Sequence, residues 1–377
     1  MPQIFVPKEV ADGETRVACT PETTKHYVKE GFEVIVESGA GKQAHFSDAH
    51  YRDAGARIVS AAEADVSWGS ADIVFRVSPI TPGQASKIKA SGLLIGFMSP
   101  HKNLDSVRVL RDRKVSTIAM ELVPRISRAQ AMDALSSQAS ISGYKAVLLA
   151  ATHLDKYFPL LMTAAGTIQP AKIVIMGAGV AGLQAIATAR RLGAVVEVSD
   201  IRPAVKEQVE SLGGRFIDVP MDQSGEGEGG YARELTPEQL KAQQEIVRKK
   251  VVAADAVITT ALVPGRPAPK LITKDMVEEM REGAVIVDLA VEQGGNCELS
   301  KSGETVVEHG VIIIGHPNLP ASTPADASLL YSRNIQAVLL NMVTDGAVVL
   351  NLEDEIVDAT LLTHNGEVRH GPTAGAL

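Results

Sequence analysis

Cysteine is scarce in this chain of 377 residues, and clusters of positive charge are missing. Cys19 and Cys297 lie far apart, so they offer neither a disulfide framework nor metal-ligand spacing, and we expect a reducing compartment and no bound metal. The formal net charge of −8 argues against nucleic acid or anionic lipid as a partner. The composition is typical of a soluble enzyme.

Long hydrophobic runs are also missing. The most apolar region, 157–189, is interrupted by Gln169, Pro170 and Lys172, so it contains no uninterrupted apolar stretch of about 18 residues that would span a bilayer. The N-terminus has no basic segment followed by an apolar one, so we predict no export signal.

Strand and helix patterns alternate along the whole chain, which predicts parallel sheets covered by helices. Strands are predicted near 4–6, 33–36, 72–77, 93–97, 116–120, 172–176, 195–199, 215–218, 256–260, 284–288 and 311–314. Helices are predicted at 21–29, near 47–54, at 126–154 and at 328–342, and Asn365-Gly366 predicts a type I′ hairpin.

We therefore expect an α/β fold with two Rossmann-like, doubly wound parallel-sheet domains. One domain consists of residues 1–136 and 316–377, and the other consists of residues 137–315. Only the second has a glycine turn suited to a dinucleotide, which makes the first its partner domain.

The glycine turn is Gly177-Ala178-Gly179-Val180-Ala181-Gly182, after a strand and at the start of a helix. In such a turn Gly177 permits the tight bend, Gly179 lets the backbone approach a pyrophosphate, and Gly182 lets the helix pack closely on the strand. A glycine turn without a ligand is the alternative, which this context disfavours.

An acidic residue, Asp200, follows the turn at the spacing that suits the adenosine ribose. Its carboxylate favours NAD(H), because an NADP phosphate would meet a negative charge, while nearby Arg202 leaves NADP(H) open.

The segment 222–231 is polar and glycine-rich, and it ends in Gly230 and Tyr231. It cannot bury enough apolar area to hold one conformation, so we expect it to be mobile. A solvated linker is the common outcome for such a loop, and a lid closing over a cofactor with Tyr231 is the alternative.

Several ordered segments, rather than the glycine turn alone, resemble one family, the alanine dehydrogenase and proton-translocating transhydrogenase superfamily. The resemblance lies in residues 6–9, 14–18, 31–34, 37–41, 264–269 and 288–297. It covers essentially the whole chain.

The alanine dehydrogenase branch uses a lysine, a histidine and an aspartate for proton transfer beside the nicotinamide. This sequence has Arg76, Ser99 and Glu292 at the corresponding positions. Arginine stays protonated and serine is a poor base, so the resemblance to that branch lacks its proton chemistry.

The segment 121–138 resembles the Arg-Gln-Asp-Ser signature of the NAD(H)-binding component of transhydrogenase, which lies beside the nicotinamide. Carried over individually, the signature residues are Arg125, Gln130, Asp133 and Ser136. The last three span less than two helical turns, so we expect them to share one face. Alternatively, Ser127 or Asp133 could satisfy backbone donors at a helix N-terminus.

The resemblance implies further cofactor contacts and one mobile-loop residue. These are Ile126, Ser127, Arg128, Val180, Ile201, Arg202, Gly230, Tyr231, Gln243 and Leu262. For two of them simpler interpretations remain, since Gln243 could be an exposed helix residue and Leu262 a core residue. His316 is expected to be structural.

The resemblance implies an enzyme that binds NAD(H) and exchanges hydride with NADP(H) held by a partner component, coupled to proton translocation through a membrane-spanning component. It also implies a homodimer attached peripherally at the cytoplasmic face of the inner membrane. The alternatives are an alanine dehydrogenase-like enzyme and a non-catalytic NAD-sensing module.

Overall fold

The chain divides into two compact units. The first consists of Met1–Gln138 and Pro320–Leu377, and the second consists of Ala139–Leu319. The structure, a computed structural model, describes residues 1–217, 237–262 and 267–377, without the side chains of residues 237–243.

Both units are built from strands and helices that alternate along the chain. The strands are β1 Gln3–Val6, β2 Glu33–Glu37, β3 Arg57–Val59, β4 Ile73–Phe75, β5 Leu93–Gly96, β6 Ser116–Ala119, β7 Leu161–Thr163, β8 Gly166–Ile168, β9 Lys172–Met176, β10 Val195–Ser199, β11 Arg215–Phe216, β12 Ala256–Thr259, β13 Val285–Asp288, β14 Thr305–Glu308, β15 Val311–Ile314, β16 Val343–Thr344, β17 Ala347–Val348, β18 Leu361–His364 and β19 Glu367–Val368. The α-helices are α1 Pro21–Lys29, α2 Asp48–Asp53, α3 Ala61–Ser70, α4 Pro82–Ala85, α5 Leu104–Asp112, α6 Ala134–His153, α7 Val180–Arg191, α8 Lys206–Ser211, α9 Pro237–Val252, α10 Lys274–Glu279, α11 Pro324–Asn341, α12 Glu355–Thr360 and α13 Gly371–Ala374.

The sheet of the first unit runs in the order β19-β18-β6-β5-β4-β1-β2-β3. Strands β1 to β6 pair in parallel, in the 3-2-1-4-5-6 order of a Rossmann fold, and β18 and β19 are antiparallel. Along β1, Ile4 and Val6 pack into one hydrophobic core and Phe5 packs into another. The sheet is therefore buried on both faces.

The sheet of the second unit runs in the order β11-β10-β9-β12-β13-β15-β14. Its parallel strands again have the 3-2-1-4-5-6 order, and among its described strands only the edge strand β14 is antiparallel. Along β9, Ile173 and Ile175 enter one core and Val174 and Met176 the other. The predicted fold class is confirmed, with antiparallel strands added at one edge of each sheet.

The predicted single helix over 126–154 is wrong in its opening turns. Residues Ser127–Met132 form a 3-10 helix, and Asp133 leaves helical geometry with a φ of −72° and a ψ of 86°. The helix α6 starts only at Ala134. The break occurs because the Asp133 carboxylate accepts the free backbone N–H of Ser136 at 2.8 Å, as an N-cap does.

The C-terminal hairpin was predicted correctly. Thr363 pairs with Val368 and His364 with Glu367. Between them Asn365 and Gly366 have φ values of 49° and 85°, as a type I′ turn requires.

Two further predictions concern the glycine-rich segment, which was expected to be mobile, and the lack of a bilayer-spanning stretch. The glycine-rich segment 222–231 lies outside the described residues. Among the residues that the structure describes, no helix is both long and apolar enough to cross a membrane.

Gly143 determines how closely α6 approaches α7. A Cβ atom at this position would lie 2.0 Å from the carbonyl oxygen of Ala181. Gly143→Ala should therefore cost about 1–3 kcal/mol of unfolding free energy through overpacking, measured as a lower thermal midpoint. The control is Gly83→Ala in α4, where a Cβ meets no atom within 4 Å and the midpoint should not fall. Equal midpoints for the two variants would contradict the close packing.

Candidate functional site

The glycine turn of the second unit begins directly after β9. Gly177 has a φ of +107°, which L side chains rarely adopt, and its N–H donates to the Ser199 carbonyl at 2.8 Å. A Cβ on Gly177 would also lie 2.5 Å from Oγ1 of Thr260, which itself donates to the Gly177 carbonyl at 3.1 Å. The turn thus admits only glycine at this position.

The helix α7 starts from this turn with an open N-terminus. Gly179 is its N-cap, and no side chain of the described residues caps the first turn. A Cβ on Gly179 would meet nothing within 4 Å, and Val180 beside it is exposed. Free N–H groups and the helix dipole at such an end favour a phosphate group.

Gly182 closes the turn from the other side. A Cβ at this position would lie 1.9 Å from the Gly177 carbonyl oxygen. The first turn of α7 therefore packs directly on the backbone of Gly177, which fixes the direction of the helix N-terminus.

Asp200 follows β10 and is tied to the same turn. Its Oδ2 accepts the Ala178 N–H at 2.7 Å, and its two oxygens accept the Arg202 N–H at 2.8 Å, Nε at 3.0 Å and Nη2 at 2.9 Å. Partial burial raises the pKa of Asp200, but the hydrogen bonds from Arg202 and Ala178 outweigh it and hold the pKa below its ordinary value.

Arg202 therefore does not present a free guanidinium. A carboxylate offers about four acceptor positions, and the backbone and Arg202 together fill those of Asp200. The Arg202 side chain is 55% exposed, so it can leave Asp200 at small cost and free one acceptor on each oxygen. Ile201 between them points into solvent, with 91% exposure.

The other predicted nucleotide residues of the second unit are less well defined. Leu262 is exposed, which excludes the core interpretation. Gln243 lies in α9, but its side chain is outside the described set, as are Gly230 and Tyr231 altogether.

Asn296 is a buried residue beside these segments whose role sequence reasoning missed. Its Oδ1 accepts the Ala261 N–H at 3.1 Å, and its Nδ2 donates to the carbonyls of Ala261 at 2.9 Å and Pro269 at 2.8 Å. Asn296 thus holds the backbone of Ala261, the residue directly before Leu262. Its place in the segment 288–297 was the available signal, but a sequence does not show which backbone groups an amide reaches.

The Arg-Gln-Asp-Ser segment lies in the first unit, on the 3-10 helix Ser127–Met132 and its flanks. Arg125, Ser127 and Gln130 are exposed, and Ile126 packs against the core. Because Gln130 belongs to the 3-10 helix and Ser136 to α6, the expected shared face of one α-helix does not exist.

Asp133 and Ser136 are nevertheless in direct contact. The Ser136 N–H and Oγ donate to the Asp133 carboxylate at 2.8 Å and 2.6 Å. This is the helix N-terminal interaction that the sequence left as an alternative for Asp133. Both side chains remain partly exposed, so the serine oxygen and the carboxylate can still accept further hydrogen bonds.

Arg128 binds the C-terminal portion of the first unit. Its Nη1 and Nη2 donate to the two carboxylate oxygens of Asp354 at 2.9 Å and 2.6 Å. This bidentate pair occupies both Nη atoms of a side chain that is 53% exposed, and it joins two segments that are distant in sequence.

The position at which the lysine was expected holds a buried ion pair. Arg76 is 1% exposed, and its Nη2 lies 2.8 Å from Oε2 of Glu9. Burial raises the pKa of Glu9 to about 7 against the attraction of Arg76. A guanidinium locked in this way cannot serve as a proton donor or acceptor.

Of the other two positions that the resemblance links to proton transfer, the serine is equally unsuited. Ser99 has a positive φ of 42°, and its N–H donates to the half-buried carboxylate of Glu121. Glu292 is exposed. His316 lies outside this set, with Nε2 3.0 Å from the Thr305 hydroxyl, consistent with a structural role.

Family comparisons match almost the whole chain. A model described as "Alanine dehydrogenase/PNT, N-terminal domain" matches residues 5–142, and one described as "Alanine dehydrogenase/PNT, C-terminal domain" matches residues 146–371. The chain belongs to the alanine dehydrogenase/PNT family.

Within this family, the chain is similar both to transhydrogenases and to an alanine dehydrogenase. It is 48% identical to the first portion of an NAD(P) transhydrogenase subunit alpha from Rhodospirillum rubrum, over 99% of each chain. A solved transhydrogenase from Sinorhizobium meliloti superimposes with a TM-score of 0.87 at 45% identity, covering 97% of this chain and 99% of that one. A solved L-alanine dehydrogenase gives a TM-score of 0.81 at 27% identity, covering 99% and 98%.

Gly179→Ala tests the open helix N-terminus of this family member. A Cβ at Gly179 meets no atom of the described residues within 4 Å, so the thermal midpoint should be unchanged. NADH affinity should fall about tenfold or more, because the methyl group occupies the approach of a pyrophosphate. Fluorescence titration with NADH measures it. Gly182→Ala is the comparison, and it should lower the midpoint because its Cβ overlaps Gly177. Unchanged NADH affinity in Gly179→Ala would refute a pyrophosphate at this turn.

Proposed function

We propose that this chain is the NAD(H)-binding component of a proton-translocating transhydrogenase. NADH bound to it supplies a hydride directly to NADP⁺ on a partner component. The observation that carries the proposal is the buried Arg76–Glu9 ion pair at the position where a dehydrogenase of the family needs a proton-transferring lysine.

Hydride exchange between two nicotinamides releases no proton at the reacting carbon. The protein therefore needs to bind and orient, and it needs no acid or base beside the ring. This requirement fits a site in which Arg76 is locked and Ser99 donates its N–H to Glu121.

The glycine turn and Asp200 are proposed to hold the ADP-ribose half of the nucleotide. The open N-terminus of α7 at Gly179 would face the pyrophosphate, and the Asp200 carboxylate would accept the ribose hydroxyls once Arg202 moves away. The Asp200 carboxylate supports NAD(H) over NADP(H), because its lowered pKa keeps it negatively charged and a 2′-phosphate at the ribose would be repelled.

The nicotinamide half is proposed to lie on the Arg-Gln-Asp-Ser segment. Gln130 and Arg125 are exposed there and make no side-chain hydrogen bond with the described residues, so both can bind the carboxamide and ribose. Asp133 and Ser136 would contribute as a pre-formed pair. For the remaining residues, Tyr231 is proposed as a lid, with Gly230, Gln243 and Leu262 near the adenosine and pyrophosphate–ribose path.

The partners are proposed to be a membrane-spanning and an NADP(H)-binding component, with this chain attached peripherally at the cytoplasmic face of the inner membrane. The relatives support this, because they are named as subunits of NAD(P) transhydrogenase.

We further propose a homodimer formed through the hairpin β7–β8. This two-stranded sheet pairs with no other described strand. Exposed apolar side chains lie on the hairpin and in the segment directly before it, namely Tyr157, Leu160, Met162 and Ile168. An isolated hairpin is marginally stable in water, and such apolar exposure is typical of a contact with a second copy.

Mixing the purified chain with an NADP(H)-loaded partner component and an NAD analogue of distinct absorbance tests the function. We expect hydride exchange only in the mixture, and Gln130→Ala should slow it about tenfold or more through lost orientation. The control is Gln43→Ala, an exposed glutamine on another 3-10 helix of the same unit, which should keep the full rate.

Two outcomes would contradict the proposal. Turnover of NADH, pyruvate and ammonium by this chain alone would indicate an alanine dehydrogenase. Tight NADH binding without any exchange in the mixture would indicate a sensing module.

Met162→Glu tests the dimer. Met162 is 78% exposed on the hairpin, and a charge in an apolar contact should shift the protein from dimer to monomer in sedimentation equilibrium. Val307→Glu on the edge strand β14 is the control. The side chain of Val307 is 66% exposed, and this variant should keep the oligomeric state of the unmodified protein. A dimer that withstands Met162→Glu would place the contact elsewhere.

A further inference from the structure

The 3-10 helix Ser127–Met132 is too short to be stable by itself, and it is held by residues from the C-terminal portion of the first unit. The strongest of these contacts joins Arg128 to Asp354. Two charge-assisted hydrogen bonds of 2.9 Å and 2.6 Å connect the guanidinium to both carboxylate oxygens, and the Asp354 side chain is only 17% exposed.

Asp354 is itself fixed by its surroundings. Its Oδ1 accepts the Ile356 N–H at 2.8 Å as the N-cap of α12, and its Oδ2 accepts Nδ2 of Asn341 in α11 at 3.1 Å. The hydrogen bonds from Arg128 hold the pKa of Asp354 well below its usual range. Arg128 is therefore attached to a carboxylate that two helices already keep in place.

A second contact fixes the other end of the same segment. Nδ2 of Asn334 in α11 donates to the Ala131 carbonyl at 2.8 Å. The Oδ1 of Asn334 accepts the Ser137 hydroxyl at 2.7 Å. Asn334 is itself buried, and both bonds are partly buried.

Between these two anchors lie the side chains that we assign to the nicotinamide half. Gln130 is on the 3-10 helix between Arg128 and Ala131, and Asp133 ends it. We propose that Asp354 and Arg128 form a positioning pair that sets the orientation of Gln130 and Asp133. The inference rests on the proposed function, because it takes the nicotinamide as the group being positioned.

Arg128 has a different role here from the one that the family resemblance implies. As a cofactor contact, its guanidinium would have to leave Asp354. Both of its Nη atoms donate to that carboxylate, whereas Gln130 makes no side-chain hydrogen bond with the described residues. Arg128 thus acts through the backbone of the segment, and Gln130 is the side chain available to the nucleotide.

Asp354→Asn separates the two roles of Asp354. Asparagine caps a helix as well as aspartate does, so α12 keeps its N-cap, but the charge that binds Arg128 is lost. Arg128→Gln removes the same pair from the other side. The full-length protein is titrated with NADH and with ADP-ribose, which lacks the nicotinamide, and its thermal midpoint is measured.

We expect each variant to bind NADH about threefold to tenfold more weakly and ADP-ribose with less than about a twofold change. The double variant should be no weaker than either single one, because both remove one interaction. The matched control is Glu22→Gln. It breaks the exposed Arg333–Glu22 pair of 2.7 Å, which also joins α11 to another element, and both affinities should stay unchanged.

Three results would overturn the inference. Equal weakening of NADH and ADP-ribose would show a general structural effect, and unchanged NADH binding would show no positioning. Weakening by Arg128→Gln but not by Asp354→Asn would show that Arg128 contacts the nucleotide directly. Since these titrations need no partner component, they separate this inference from hydride exchange, whose failure in the mixing assay would refute the proposed function alone.

Discussion

The backbone contact between Gly177 and Gly182 is the constraint on which the nucleotide end of the second unit depends. It leaves no room for a Cβ at Gly182 and places the first turn of α7 on the end of β9. From this contact follow the open N-terminus at Gly179 and the position of Ala178, whose N–H reaches Asp200. A single methyl group at Gly182 would push the first turn of α7 away from Gly177.

Arginines paired with carboxylates recur in both units, and in each case the pair decides what the cation can do. Arg76 is buried with Glu9 and has lost any access to a substrate proton. The exposed Arg202 is paired reversibly with Asp200, because surface ion pairs are weak. Burial thus keeps Arg76 and Glu9 away from solvent, whereas the exposed Arg202 is able to move. For the proposed hydride exchange, which needs no acid or base, the buried pair costs nothing in proton chemistry.

The fold and the glycine turn were predictable because they depend on local patterns. Apolar residues follow one another without interruption in β9, as expected of a strand buried on both faces, and Gly177 needs a positive φ that only glycine adopts easily. The break before α6 was predicted only as an alternative, because the helical pattern continues through Asp133 and the side-chain bond to Ser136 is what separates α6 from the turns before it. The partners of Asn296 were equally unpredictable, since they are backbone groups distant in sequence.

The sequence by itself determined that the chain forms two α/β units and that one of them carries a dinucleotide turn, because hydrophobic periodicity and glycine spacing act over short distances. Tertiary structure alone decided which charges remain available. Arg128 and Asp354 are far apart in the chain, and only the return of α11 to the first unit brings them within hydrogen-bonding distance. A sequence does not show whether a charged residue is paired with water, with a ligand or with another segment of the fold.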